Sequence, residues 1–216
     1  MLKENFDWGK CPQDFINGIT WEMAQGCYER VFQVKEGDVV VDIGASVGPF
    51  LNTIIDRKPA KCYAIEPVSL NNEAILNNTG GNVVIINQAI TDDEQMEVGD
   101  WEGTVEIVKG LKFADFVKSW NIDRIDFLKT DCEGGEYEIF KPSNLRWIID
   151  HCKYCVGEWH LASPENKVRF RNFRDNVLPL FKQFRVFSID GIDIAWSLYS
   201  EQFIHYYTEV IIHIEV

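Results

Sequence analysis

Acidic side chains and one imidazole gather in two short stretches of this sequence. Asp131, Glu133 and Glu136 follow the apolar run Ile125-Asp126-Phe127-Leu128-Lys129-Thr130, and Glu158 and His160 close a second run that begins at Tyr154. Side chains alternate along a strand, so Glu158 and His160 share one face with Trp159 on the other. Carboxylates beside an imidazole suit proton transfer near neutral pH. His160 is expected to be the base, oriented by Glu158 or Glu133. Asp131 can take that role instead, or bond the amino end of a cofactor. Lys129 either orients a substrate or pairs with one of the acids, and Glu136 is expected to pair locally or cap its turn. A second reading gives Asp131, Glu133 and Glu158 to Mg²⁺, an ion held by one or two carboxylates plus water. Such an ion would lower the pKa of an acceptor hydroxyl.

A third group surrounds the turn after Val39-Val40-Val41-Asp42-Ile43. A dinucleotide fingerprint requires G-x-G-x-x-G, so that a glycine backbone can approach the pyrophosphate. Here the turn reads Gly44-Ala45-Ser46-Val47-Gly48, followed by Pro49 and Phe50, with serine at the centre and Asp42 ahead of it. A carboxylate at that point opposes a pyrophosphate and suits a cationic cofactor without phosphate, S-adenosylmethionine. Glu66 ends the next apolar run, before Pro67, and its two oxygens can accept both hydroxyls of a ribose. NAD enzymes use the same device, so an NAD-dependent oxidoreductase stands as a rival. The absent glycine, Asp42 and the net charge favour S-adenosylmethionine. Gln88 and Ala89, after a third apolar run, offer an edge for an adenine ring.

These residues need strands to carry them. Short apolar runs at 39–43, 61–66, 83–87, 125–131 and 154–160 read as strands, with helices from Pro49, over 69–77 and over 113–120. Residues 104–108 read as part of a hairpin after an acidic loop. Residues 21–33 read as a helix through Met23, Cys27, Val31 and Phe32. A long helix is expected to place Val168, Phe173, Val177, Leu180, Phe181 and Phe184 on one face, kinked at Pro179. Strands at 185–189 and 209–215 close the chain, one of them antiparallel because no clear helix separates them. The alternation predicts an α/β Rossmann-like domain with a mostly parallel sheet. Ligands then gather beyond the carboxyl ends of the strands, where strand order reverses. With no repeat or linker, residues 1–216 read as one domain, an N-terminal helical arm (1–35) and a core (36–216).

Of the 216 residues, 46% are hydrophobic and 25% charged, as in globular proteins, and 34 acids against 21 bases give a net charge of −13. That charge opposes phosphate backbones and anionic lipid, so neither a nucleic-acid nor a membrane partner is expected. No run approaches the ~20 apolar residues of a membrane span. The N-terminal residues lack the order of a secretory signal, and the six cysteines are scattered, which together suggest reduced thiols and a cytoplasmic setting. Cys152 and Cys155 form one CxxC pair near His151, without a second pair at zinc spacing, and read as core. Trp8, Trp21 and Trp101 are candidates for an apolar lid or a stacking surface for a sugar. The oligomeric state is not set by the sequence.

From about Tyr28 to His160 the chain resembles the FkbM family of S-adenosylmethionine-dependent methyltransferases. The likeness rests on EGDVVVDIGASVGPF at 36–50, AIEP at 64–67, NQAITDD at 87–93 and IDFLKTDCEGGEYEIF at 125–140. Within the last, Asp131, Glu133, Gly134 and Glu136 match the family's Asp-x-Glu-Gly-x-Glu, and Glu158-Trp159-His160 is similar to its Glu-x-His. Ser46 stands where the family often has asparagine. The resemblance implies a class I methyltransferase fold with a seven-stranded sheet, and O-methylation of a hydroxyl on a sugar, glycan or small natural product. A Mg²⁺-assisted transfer on the same fold, or a non-catalytic module that keeps the cofactor, are the alternatives. No Asn/Asp-Pro-Pro-aromatic motif follows the fourth strand, which disfavours a nucleobase amine as acceptor.

Overall fold

The computed structural model describes residues 1–99 and 103–216. After α1 (Gln13–Gln25), the run Val39–Ile43 forms β1, and Pro49, at the first helical position where its missing N–H costs nothing, opens α2 (Pro49–Ile54). The alternation continues through β2 (Lys61–Ile65), α3 (Asn71–Thr79) and β3 (Val84–Ile86). Next come β4 (Ala89–Ile90), β5 (Gln95–Gly99) and β6 (Val105–Leu111), a small separate sheet of order β4-β6-β5 in which β5 and β6 make the expected antiparallel pair. The chain returns through α4 (Phe113–Ser119), β7 (Ile125–Thr130), α5 (Glu136–Ile139), α6 (Pro142–His151) and β8 (Cys152–His160). It ends with α7 (Pro164–Asn172), β9 (Gln183–Phe187), α8 (Glu201–Tyr206) and β10 (Glu209–Glu215).

The main sheet has seven strands in the order β3-β2-β1-β7-β8-β10-β9. β1 pairs in parallel with both β2 and β7, whereas β10 runs antiparallel to β8 and β9. The expected antiparallel strand is thus β10, inserted between β8 and the edge strand β9. Apolar alternation explains the burial of both faces. Val41 and Ile43 belong to one core cluster and Val40 to the other. Strand order reverses between β1 and β7, so a crevice opens beyond their carboxyl ends.

Two helices depart from the sequence expectation. α1 ends at Gly26, whose left-handed φ of 64° lets its N–H bond back to the last turn. The helix therefore lies over residues 13–25 rather than 21–33. The long C-terminal helix is broken: Ser163 caps α7, a π-turn follows at Phe173–Val177, and a 3₁₀ turn at Leu178–Leu180 precedes β9. Pro179 cannot donate to a helical ladder, and Phe184 is consequently a strand residue. Val168 and Leu180 are exposed instead of packed. Phe170, Phe173, Val177 and Phe181 provide the buried face.

Cys152 and Cys155 are buried, Cys155 fully, while His151 stacks on Trp147 and bonds the Asp123 carbonyl. That arrangement is core packing. No helix among the described residues is long and apolar enough to cross a membrane.

Candidate active site

A cavity of about 670 Å³ occupies the crevice, and its wall carries Gly44, Ser46, Phe50, Glu66, Pro67, Gln88 and Ala89 at one end and Lys129, Asp131 and Glu133 at the other. The turn at the first end is fixed by close approach. Gly44 has φ +78°, and a Cβ there would lie 1.7 Å from the Asp131 carbonyl oxygen, so the end of β7 can pass behind it only if residue 44 is glycine. The Gly44 and Ala45 amides donate to the Ile65 carbonyl, tying β1 to β2. Ser46 adopts φ +49° and points its amide at Glu66 Oε2, 2.8 Å away. Glu66 Oε1 accepts from the Val68 amide at 2.9 Å and Asn71 Nδ2 at 3.1 Å. Burial raises the Glu66 pKa above its ordinary value, opposed by these donors. The Ser46 hydroxyl is buried and has no protein partner. An unfilled hydroxyl beside an oriented carboxylate fits the polar groups of a nucleoside cofactor.

Asp42, Ala45 and Gly48 are not on this wall. Ala45 packs into the core, and Gly48 turns the chain into α2 with φ +82°. Asp42 is fully buried, and its register partner on β7 is Lys129, whose Nζ lies 3.0 Å from Asp42 Oδ1. The expectation that Asp42 faces a cationic cofactor is corrected here: strand pairing gives it a cation from the protein instead. Burial raises Asp42 to about 6 against the opposing Lys129 charge. Burial works against the Lys129 charge as well, yet Asp42 and Asp131 hold its pKa above the ordinary value. Lys129 Nζ also donates to the Gly44 carbonyl at 2.8 Å and sits 5.1 Å from the Tyr28 ring centroid. Of the two roles expected for Lys129, the pairing with an acid is what its geometry provides.

At the other end, Asp131 is anchored through Oδ2, which accepts from the Tyr28 hydroxyl at 2.8 Å. Glu133 has φ +55°, an uncommon conformation for a side-chain-bearing residue, and its carboxylate reaches solvent. Glu136 is fully buried; its Oε1 accepts from the Cys132 amide at 2.8 Å and faces His160 Nδ1 at 3.1 Å. It therefore caps its own turn and also reaches β8. The other ring nitrogen, Nε2, lies 3.5 Å from Glu133, 3.7 Å from Glu158 and 3.9 Å from Asp131. Asp131, Glu133, Glu158 and His160 thus converge as expected, although Glu158 and His160 stand behind the cavity wall.

The carboxylates around His160 bear on the base role expected of it. Burial opposes charge on His160, but Glu136, Asp131 and Glu133 outweigh it and push its pKa up to about 10. The surrounding carboxylates thus favour the protonated ring more than water would. Glu158 is pushed up to about 9, first by burial and then by Asp131. On the metal reading, the described residues that bring ligand atoms together are Asp131, Glu158 and His160, with Glu133 outside the set.

Several wall residues were not anticipated. Phe15, Ile19 and Met23 recur every four residues on α1 and roof the cavity. That spacing was available in the sequence. Arg169 on α7 also lines the cavity, bonding the Gly134 carbonyl and Glu138. Trp8 packs edge-on against Phe6, and neither Trp8 nor the exposed Trp21 reaches the cavity wall. Trp101 lies outside the described residues.

The fold is similar to those of solved methyltransferases. A fibrillarin from Aeropyrum pernix, in complex with natively bound S-adenosyl-L-methionine, aligns with a TM-score of 0.52 at 14% identity, covering 92% of this chain and 76% of that one. A putative rRNA-methylase from Clostridium thermocellum aligns with a TM-score of 0.55 at 10% identity, covering 90% and 96%. A putative methyltransferase from Streptococcus mutans, in complex with SAH, gives 0.53, 10%, 90% and 96% respectively. No curated protein matches the chain. The methyltransferase FkbM domain matches residues 42–187, which include the end of β1, Glu66, the Asp131–Glu136 segment and β8. The chain therefore belongs to the FkbM methyltransferase family.

Proposed function

We propose that this protein transfers the methyl group of S-adenosylmethionine to a hydroxyl on a sugar, glycan or small natural product. The observation that carries the reading is the single cavity running from Ser46 and Glu66 to Asp131 and Glu133, which has room for a nucleoside and an acceptor together. Glu66 would receive the ribose hydroxyls, Gln88 and Ala89 the adenine edge, and the Ser46 hydroxyl a polar atom of the cofactor. Bound there, the cofactor supplies an electrophilic methyl on a sulfonium centre. In-line displacement needs alignment above all, and an unactivated hydroxyl must also lose its proton as it attacks.

Asp131 is our assignment for the group that takes this proton. Tyr28 fixes one of its oxygens, leaving Oδ1 toward the imidazole side of the cluster. His160 and Glu158 stand behind that oxygen, His160 Nε2 at 3.9 Å. Glu133 lies at the open rim, where it can hydrogen-bond an acceptor. Carboxylates at the rim and a net charge of −13 favour a neutral or cationic acceptor over a polyanion.

Calorimetry tests the cofactor half. S-adenosylmethionine and S-adenosylhomocysteine are expected to bind the wild type, with affinity reduced about 10- to 100-fold in Glu66→Gln. Binding unchanged in that variant, or NADH bound in place of both, would overturn the assignment. Asp131→Asn is expected to keep cofactor affinity and lose about 10²–10⁴-fold in kcat. A wild type that binds cofactor but methylates no member of a hydroxylated acceptor panel would point to a binding module. Turnover on RNA alone would replace the acceptor class.

One observation favours a metal-assisted form of the same transfer, the convergence of Asp131, Glu158 and His160.

A further inference from the structure

At and behind the carboxylate end of the cavity, more ligand atoms gather than proton transfer requires, and they are arranged around one imidazole nitrogen. We infer that Asp131, Glu158 and His160 form a binding site for a divalent transition-metal ion rather than for Mg²⁺. The site rests on its own geometry. Its role, binding and acidifying the acceptor hydroxyl, rests on the methyl-transfer reading above.

The three ligand atoms lie within 4.8 Å of one another, with Nε2 3.7 Å from Glu158 Oε1 and 3.9 Å from Asp131 Oδ1. Ligands about 2.1 Å from a common ion can be separated by at most ~4.2 Å. Two of the pairs already meet that limit, and small side-chain rotations bring in the third. Glu158 and His160 are buried, so the ligands come from a rigid strand held on both sides by β7 and β10.

Two further features point to a metal. The first is the partner of Nδ1. Histidines that bind metals usually give their second ring N–H to a carboxylate or carbonyl, which fixes the tautomer and aims the other nitrogen at the ion. Buried Glu136 does this at 3.1 Å and is itself held by the Cys132 amide. The second feature is Nε2. His160 is 9% exposed, yet Nε2 makes no hydrogen bond among the described residues and faces three carboxylates at 3.5–3.9 Å. The ring nitrogen and these carboxylates are thus close enough to serve one ion.

The donor set chooses the metal. Mg²⁺ demands oxygen ligands in near-ideal octahedral geometry and is seldom bound by imidazole. A set with one imidazole and two carboxylates suits Zn²⁺, Co²⁺, Mn²⁺ or Fe²⁺. This replaces Glu133 of the sequence expectation by His160 and frees Glu133 for another task. With an ion present, Asp131 is a ligand, and the exposed Glu133 carboxylate becomes the group that receives the hydroxyl proton.

Metal-stripped full-length protein should be titrated with Co²⁺, reading visible d–d absorption and bound metal, and separately with S-adenosylmethionine by calorimetry. One Co²⁺ per chain is expected, resistant to excess Mg²⁺, with affinity lowered about 10-fold or more in His160→Ala and about 10- to 100-fold in Glu136→Gln. Pulsed EPR of Mn²⁺ on the wild type should detect an imidazole nitrogen, a readout that needs no variant to fold. No Co²⁺ uptake by a wild type that still binds S-adenosylmethionine would overturn the metal site and leave the methyl-transfer reading intact. Co²⁺ bound equally by His160→Ala, or Mn²⁺ without a nitrogen signal, would also overturn it. Co²⁺ binding without S-adenosylmethionine binding would support the site and overturn the enzymatic reading.

Discussion

The two ends of the cavity treat their carboxylates in opposite ways. At the β1–β2 end, Glu66 is met by three N–H donors, two from backbone and one from Asn71. At the β7–β8 end, Asp131, Glu133, Glu136 and Glu158 crowd around a single imidazole. The first arrangement is satisfied within the protein and holds a fixed shape for a ligand. The second is short of positive charge and depends on what it takes up. A site that recognises can be built of backbone, whereas one that handles protons or cations keeps its charges unsettled. Lys129 stands between the two and shows how a buried charge is kept when both sides need it.

Removing that lysine should break the comparison most severely. Lys129→Met leaves Asp42 buried without its partner, and stability should fall by about 3–5 kcal/mol, measured as a shift in denaturant midpoint at constant slope. Adding Asp42→Leu should restore much of the loss, because an apolar pair of similar volume has no charge to bury. A third region, remote from both ends, sharpens the comparison by supplying an expected proton effect of a single group. His213 is fully buried on β10 with Nε2 bonded to the Cys27 carbonyl, and burial pushes its pKa down to about 4. Above pH 6.5 folded and unfolded chains both carry it neutral. As pH falls toward 4 the unfolded chain takes the proton and the folded chain does not, so stability falls by about 3 kcal/mol across that window. The difference between wild type and His213→Phe should isolate this slope, since other titrations cancel in it.

The smallest effect belongs to the satisfied end. Ser46→Ala deletes a hydroxyl that nothing in the protein uses, so the melting temperature should hardly move. Cofactor affinity should fall several-fold, about 1 kcal/mol. A loss of stability without a loss of affinity would show that the hydroxyl serves the fold instead.

What was legible in the sequence follows from how local each feature is. The Gly44–Gly48 turn, Glu66 and the strands that carry them could be read because residues within one strand–turn–helix unit determine them. Asp42 could not be assigned correctly, since its partner is set by the register of β1 against β7, with five strands and three α-helices intervening in the chain. The partner of His160 Nδ1 was hidden for the same reason. It depends on Glu136 turning back from α5 to a strand that begins beyond α6. Phe15, Ile19 and Met23 were spaced for a helix all along, and Gly26 marked its end, but the apolar residues after Gly26 mimicked a continuation. The insertion of β10 between β8 and β9 has no local signature, because sequence adjacency suggests only that the last two strands pair.

The roof of the cavity is the part of the site with the loosest tie to the chemistry beneath it. Phe15, Ile19 and Met23 come from α1, upstream of the residues that match the family, while the turns and strands that hold the reacting groups lie inside that match. Tyr28, bonded to Asp131, stitches the upstream segment to the machinery. Substitutions on the inner stripe of α1 can therefore reshape what is admitted while the reacting groups keep their places. Acceptor choice can diversify through a short leading helix, with the transfer apparatus inherited unchanged.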